Sequence, residues 1–416
     1  MYGGFVRPQD VPGGMCREPG GMPGIPSNST RTSADARASR PVPGGRLPLL
    51  DVLRGVAILG TLMTNVWIFA TPGSEWTYLQ GAPMADPWTE PVEALFRFLA
   101  DGKFLSLLTV LFGVGLAIQY DSAWRHGTPW PRGYRPRALF LLAEGTLHFV
   151  LVFGFDVLMG YAVTALLVAR LLVCSERVRR GVTWLAVSLH LAVMSLITAA
   201  LVTDGSAPDR ASARSVELYA RGSWPEQIAF RLENAVALRM EPVLSFGLLV
   251  FLFLLGVRLY RAGAFAPTGR GRRLRTRMAV WGLGVGVPCN AALTLGGEDF
   301  FFLGRYVAAP LVALGYLGLI GVVLDRGRLP AAVVHGLSSV GRTALSSYVL
   351  QNVLCALLCY GVGLGLAERF GPDGGPWWVM AMWTLVCALL VVGSTLWLRR
   401  FPHGPLESVQ RWALRR

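Results

Sequence analysis

Apolar stretches of about 17 to 23 residues recur along the chain beyond residue 46, each long enough to cross ~30 Å of hydrocarbon at 1.5 Å per residue. They predict spanning helices over about Val52 to Ala70, Phe104 to Tyr120, Ala138 to Phe155, Val157 to Cys174 and Val182 to Val202. A second series follows over about Val243 to Tyr260, Met278 to Leu295, Tyr306 to Leu324, Ala344 to Leu366 and Trp377 to Leu398. The expected fold class is therefore all-α, a polytopic transmembrane bundle of about ten spanning helices. A short interfacial helix is expected over Pro91 to Ala100, and an extramembrane helix within the mixed-charge segment at about 203–242.

The polar positions between these runs fix an orientation. Arginine clusters follow every second run, at Arg125 to Arg137, Arg177 to Arg180, Arg261 to Arg277, Asp325 to Arg342 and Arg399 onward. The intervening connections are acidic, mixed or very short, as at Glu75 to Asp101 and at Glu298 and Asp299. Basic loops stay in the cytoplasm, so both termini are expected inside. Trp67, Trp76, Trp88, Trp377 and Trp378 fall near the expected outer boundary, where amphipathic rings settle.

Composition removes the main alternative. With 53% hydrophobic and 15% charged residues and a mean hydropathy of +0.47, the chain is far poorer in charge than the roughly 25% of soluble domains. The formal charge of +14 is spread over short clusters between apolar runs, a topology signal rather than a nucleic-acid-binding face. Lys103 is the lone lysine. Residues 1–46, rich in Gly, Pro, Ser and Arg, read as a disordered cytoplasmic tail or as the product of a misplaced start. The six cysteines form neither a disulfide framework nor a metal pattern; Cys355 and Cys359, four apart, read as small packing residues.

Specific phrases carry a resemblance. Leu49-Leu-Asp-Val-Leu-Arg-Gly-Val-Ala-Ile-Leu-Gly60 with Asn65, Lys103-Phe-Leu-Ser-Leu-Leu-Thr-Val-Leu-Phe-Gly-Val-Gly115, and Gly145-Thr-Leu-His148 with Asp156 and Tyr161 come first. Gly341-Arg-Thr-Ala-Leu-Ser-Ser-Tyr-Val-Leu-Gln351 and Gly404-Pro-Leu-Glu407 follow. Together they resemble the YeiB-like family of bacterial integral membrane proteins of unknown function. Ser408, Val409 and Gln410 stand where that family usually has aromatic residues, and Ser346-Ser347 where Thr-Asn is common. Asp51-x-x-Arg54-Gly55 with Asn65 is also distantly similar to transmembrane acyltransferases of the heparan-glucosaminide acetyltransferase and sugar O-acyltransferase type. That likeness implies acyl transfer from a cytoplasmic donor to an acceptor across the membrane. Thr71 to Thr89 holds no histidine, so the catalytic histidine of the glucosaminide group has no counterpart by position.

Among the intramembrane polar residues, Glu144 and His148 sit four apart on one helix face, a spacing that lets the carboxylate orient the imidazole as a general base. A structural hydrogen-bonded pair explains the same spacing. Asp156 lies on nearly the same face further out, positioned to extend a polar pathway, and is grouped with Asp51, Arg54, Asn65 and Gln351 as candidate ligand contacts. Asp51 and Arg54, three apart, read as a topology anchor or as a contact for an anionic ligand such as the phosphates of an acyl donor. His190 reads as a packing residue or an interhelical hydrogen bond, while Arg305, Gln351 and Asn352 are candidates for an interior polar cavity; Tyr348 and Gln351, three apart, share a face that a helix-packing seam explains equally well. No phosphate loop or metal-ligand run stands out.

The functional expectations are accordingly plural. One is a membrane acyltransferase with His148 as acid/base, Glu144 orienting it and acyl-CoA as donor substrate, no cofactor being tightly bound. Another is a transporter or exporter of a small amphipathic metabolite using the same charges, and a third is a non-catalytic membrane protein. The expected partners are the lipid bilayer of the cell membrane and a small-molecule substrate.

Overall fold

The computed structural model describes residues 47–80, 85–204, 212–371 and 374–414, so the tail expected over 1–46 lies outside the described residues. Among the described residues every regular element is helical. The chain opens with α1 (Pro48–Ala70), α2 (Ser74–Leu79), α3 (Pro91–Ala100) and α4 (Lys103–Arg125). The hairpin of α5 (Arg135–Leu151) and α6 (Leu158–Leu171) and the long α7 (Glu176–Asp204) come next. Short helices α8 (Ala213–Arg221), α9 (Trp224–Glu233), α10 (Ala235–Leu238) and α11 (Met240–Leu244) lead to α12 (Phe246–Arg261) and α13 (Gly269–Leu295). The second part continues with α14 (Phe301–Leu303), α15 (Ala309–Asp325), α16 (Ala331–Arg342) and α17 (Ala344–Cys359). It ends with α18 (Leu366–Phe370), α19 (Trp377–Arg400) and α20 (Pro405–Ala413).

Six of these segments are long and apolar enough to cross a membrane, namely Pro48–Ala70, Pro91–Arg125, Glu176–Thr203, Gly269–Leu295, Glu298–Asp325 and Trp377–Arg400. The other four predicted runs form the shorter helices α5, α6, α12 and α17. Trp184, Leu185 and Leu189 on α7, Trp281 and Val285 on α13, and Leu385 and Leu389 on α19 stay exposed. Apolar surface this extensive needs an apolar solvent. The molecule is a transmembrane helix bundle.

Pro48, Pro136 and Pro405 stand in the first turns of α1, α5 and α20, where the missing N–H removes no hydrogen bond. Pro91–Arg125 is divided by a break at Asp101–Gly102: Gly102 has φ +73, and a Cβ there would lie 2.3 Å from the Arg305 carbonyl oxygen. The ninth run is shorter than Ala344 to Leu366, because Tyr360 leaves helical geometry and the chain turns through Gly361 to Gly365. The mixed-charge segment holds four short helices rather than one. The polar stretch before the ninth run contains α16, an additional helix that packs on α1 and α19.

Helix α1 is the axis of the bundle, packed by α4, α16, α17 and α19, while α12 lies against α4, α6 and α7 and α13 pairs with α15. The α1–α16 crossing is set by two small residues. A Cβ on Gly55 would stand 2.0 Å from the Leu337 carbonyl oxygen, and one on Gly341 1.8 Å from that of Asp51. At the arginine-rich end of the α13–α15 pair, buried Arg275 donates to both carboxylate oxygens of Asp325 (2.7–3.0 Å) and to the carbonyls of Ala264 and Ala266. Its charge is thus neutralised where the α12–α13 turn closes.

Candidate functional site

The polar centre of the bundle is a string of buried hydrogen bonds joining α1, α5, α6 and α17. After α5 ends at Leu151 the chain turns through Val152 to Val157, which brings Asp156 back onto His148 with Nδ1 and Oδ1 3.0 Å apart. Asp156 is fixed by its second oxygen, which accepts from the Met159 N–H at the start of α6 (3.1 Å), one of the donors a helix N-terminus leaves unpaired. On the other side of the ring, His148 Nε2 lies 3.2 Å from Asn352 Nδ2, and Asn352 Oδ1 accepts from Asn65 Nδ2 at 3.2 Å. This direction assigns the proton to Nδ1 and leaves Nε2 as the acceptor. His148, Asp156 and Asn352 are almost wholly buried, and the Tyr348 ring stands 5.2 Å from the imidazole, centre to centre.

The expected Glu144–His148 pair is therefore corrected. Both Glu144 carboxylate oxygens are shielded from solvent without a hydrogen-bond partner among the described residues. The turn after Leu151 delivers a second carboxylate, Asp156, directly to the ring, and Asp156 takes the orienting position instead. Gln351, fully buried, makes no hydrogen bond through its carboxamide among the described residues and stands outside the string. His190 Nε2 donates to the Tyr306 carbonyl (3.0 Å) in the π-helical turn Gly304–Ala308.

A cavity of about 350 Å³ lies between the start of α4 and the end of α13; one of about 240 Å³ opens at the arginine-rich end. Arg54, Arg137, Arg342, Gln119 and Gln410 contribute polar groups to the second, and Leu108, Leu111, Leu141 and Leu158 line its apolar part, which reaches Tyr348. Arg54 also approaches Asp51, with Nη1 3.7 Å from Oδ1. Beyond Tyr348 is a pocket of about 30 Å³ bordered by Thr61, Asn65, Glu241 and Arg305, with room for a water molecule. Arg305 is held between Asp101 (3.6 Å) and Glu241 (3.4 Å), and Tyr306 donates its hydroxyl to Glu241.

The segment over this site has a buried ion pair that the sequence did not single out. Glu75 and Arg231, both almost fully buried, lie 3.6 Å apart. Glu75 also accepts from the Gly154 N–H (2.9 Å), and Arg231 donates to the Val150 carbonyl (3.1 Å), so both clasp the turn carrying Asp156. Burial pushes the neighbouring Tyr219 hydroxyl well above its ordinary range, keeping it protonated beside the carboxylate. Arg239 donates to the backbone carbonyl of Asp156 itself at 2.7 Å.

Residues 259–416 match the family described as a protein of unknown function, DUF418. The chain is 27% identical to the uncharacterized protein YxaH of Bacillus subtilis, with 88% of this chain and 94% of that protein covered. It is 28% identical to the uncharacterized protein YeiB of Escherichia coli, with 87% and 94% covered. An uncharacterized 39.9 kDa protein encoded in the amylase 3′ region of Bacillus acidopullulyticus is 23% identical over 88% of this chain and 93% of its own length.

Proposed function

Taking the chain as a YeiB-like membrane protein, similar along most of its length to relatives whose names assign no activity, we propose that it transfers an acyl group across the bacterial cell membrane. The donor enters at the arginine-rich, cytoplasmic end, and a hydroxyl or amine acceptor reaches the centre from the other side. The observation that carries this reading is Tyr348. It forms the inner wall of the arginine-lined cavity and of the small outer pocket, with its ring against His148.

Arg54, Arg137 and Arg342 suit the phosphates of a donor such as acyl-CoA, since guanidinium groups bind phosphate through paired N–H bonds. The apolar walls leading to Tyr348 suit an acyl thioester. The acceptor displaces the Asn352 amide from His148 Nε2 and gives its proton to that nitrogen while its oxygen or nitrogen adds to the thioester carbonyl. Collapse of the tetrahedral intermediate breaks the carbon–sulfur bond, and the departing thiolate takes the proton from His148. Asp156 holds the imidazole in the required tautomer and stabilises its transient positive charge.

Reconstituted protein supplied with radiolabelled acetyl-CoA and pooled polar acceptors tests this. Label reaches an acceptor with wild type and not with correctly folded His148→Gln; absence of turnover across acceptor pools sinks the reading. A second reading, transport of a small amphipathic metabolite, is favoured by the three cavities in series, with Tyr348 and Arg305 as the shared walls. Solute uptake into proteoliposomes under an imposed ion gradient, without acyl transfer, selects it.

A further inference from the structure

The cavity of about 350 Å³ at the end remote from the arginine clusters lies between the α3–α4 break and the end of α13. Its volume falls in the ~300–1,000 Å³ range of small-molecule sites. Three cations line it, and two are already paired: Arg97 with Glu93 and over the Trp67 ring, Arg305 with Asp101 and Glu241. The third is Lys103. It is only 2% exposed, and its ammonium makes no hydrogen bond or ion pair among the described residues, resting 4.4 Å from the centre of the Phe98 ring.

A cation–π contact recovers only part of what water gives an ammonium, so burying this charge unpaired is costly. The same cavity holds a second unsatisfied group. Asn290 is 2% exposed, its Nδ2 donates to the Gly304 carbonyl at 2.9 Å, and its Oδ1 has no donor among the described residues. The Gly304 carbonyl accepts only from an amide nitrogen, which fixes which end of the carboxamide is free. A buried cation with no directly bonded anion, Asp101 acting on it only from further off while paired with Arg305, and a buried oxygen lacking a donor among the described residues, in a cavity that Asp86, Glu298, Phe300 and Phe301 also line, describe a ligand in negative.

We propose that this cavity binds an oxyanion with an adjacent hydroxyl or amine, the anion on Lys103 and the neighbouring donor on Asn290 Oδ1. A free hydroxy or amino acid carries that chemistry, and so does a glycerophosphate headgroup of an anionic phospholipid. The site stands whether or not the chain transfers acyl groups.

Lys103 is the lone lysine of the sequence, so the mass of its peptide separates its acylation from that of the α-amino terminus. The detergent-solubilised full chain is treated with an N-hydroxysuccinimide ester, and modification is followed by the mass of the Lys103 peptide. Labelling is expected in buffer and in glycerol, and to slow several-fold in glycerate. Acetate, which lacks the adjacent donor, protects less. Asn290→Ala removes the difference between glycerate and acetate. A parallel arm compares nanodiscs of phosphatidylglycerol and phosphatidylcholine. Protection by glycerate assigns a free solute, and protection by phosphatidylglycerol alone assigns a lipid headgroup. Equal labelling under all conditions, protection by glycerol as strong as by glycerate, or a Lys103 inert even in buffer overturns the proposal.

Discussion

Asp156 holds His148 from eight residues along the chain, across the turn that ends α5, with Nδ1 and Oδ1 3.0 Å apart and neither side chain in contact with solvent. Glu144, one helical turn before the histidine, makes no side-chain hydrogen bond among the described residues. The two carboxylates therefore predict opposite outcomes in the acyl-transfer assay. Asp156→Asn removes the acceptor that keeps the proton on Nδ1 and is expected to lower turnover by about tenfold or more, as His148→Gln does by roughly 10²–10⁴-fold. Glu144→Gln is expected to leave turnover within about threefold of wild type and to keep or raise the melting temperature, because it replaces an unpaired buried carboxyl with a neutral group. A Glu144→Gln loss as deep as that of Asp156→Asn would return the orienting role to Glu144.

Glu75 and Arg231 clasp the same turn from outside. Removing one member of a buried pair strands the other, at a typical cost of ~3–5 kcal/mol. Glu75→Ala and Arg231→Ala should each lower unfolding stability on that scale in detergent. The double substitution should cost clearly less than their sum, since no lone charge is left behind. Additive losses in thermal or denaturant unfolding would show that the two side chains act separately.

The bundle was legible in the sequence because run length alone identifies helices that hydrocarbon must accept. Helix α16 was not, because its buried positions include Gly336, Ser339 and Gly341, small residues that carry no hydropathy signal. The site was legible in its parts and not in its pairing. Four-residue spacing made Glu144 the natural partner of His148, while the turn that substitutes Asp156 depends on where α5 stops. Glu75 and Arg231 lie far apart in sequence, inside segments that read as polar connections, and nothing local marks either as buried. The Asn65–Asn352 bond likewise joins the first run to the ninth, a neighbour relation that periodicity does not encode.

The α1–α16 crossing predicts a contrast between two glycines. Gly341→Ala places a methyl group against the Asp51 carbonyl, where the Cβ would lie 1.8 Å away, so backbone must move. Gly393, inside α19, has nothing within 4 Å of its Cβ position. Gly393→Ala should therefore be neutral or stabilising by up to about 1 kcal/mol through helix propensity, whereas Gly341→Ala should lower the melting temperature and the monodisperse yield on size-exclusion chromatography. Similar behaviour of the two variants would mean that the crossing tolerates separation.

The closing phrase of the chain acquires a role from its partner. The Glu407 carboxylate accepts from the Leu345 N–H at 2.8 Å and from the hydroxyl of Ser346, at the part-buried N-terminus of α17, while Ser346 Oγ accepts from the Leu406 N–H at 3.0 Å in the first turn of α20. Each helix thus supplies a cap to the other, and the carboxylate lies at the end of α17 where the helix dipole favours negative charge. Gly404 makes the approach possible, since a Cβ there would fall 2.1 Å from a Glu407 oxygen. Glu407→Ala removes the acceptor and should cost about 0.5–2 kcal/mol, the range for a lost cap. Glu407→Gln, which keeps one oxygen acceptor, should cost less. Ser346→Ala in the Glu407→Ala background should cost a further increment, because the Leu406 N–H then loses its acceptor as well. Because Glu407 also borders the arginine-lined cavity, hydrogen exchange should rise together at the start of α17 and in α20 in Glu407→Ala. Exchange confined to α20 would mean that α17 does not depend on this cap.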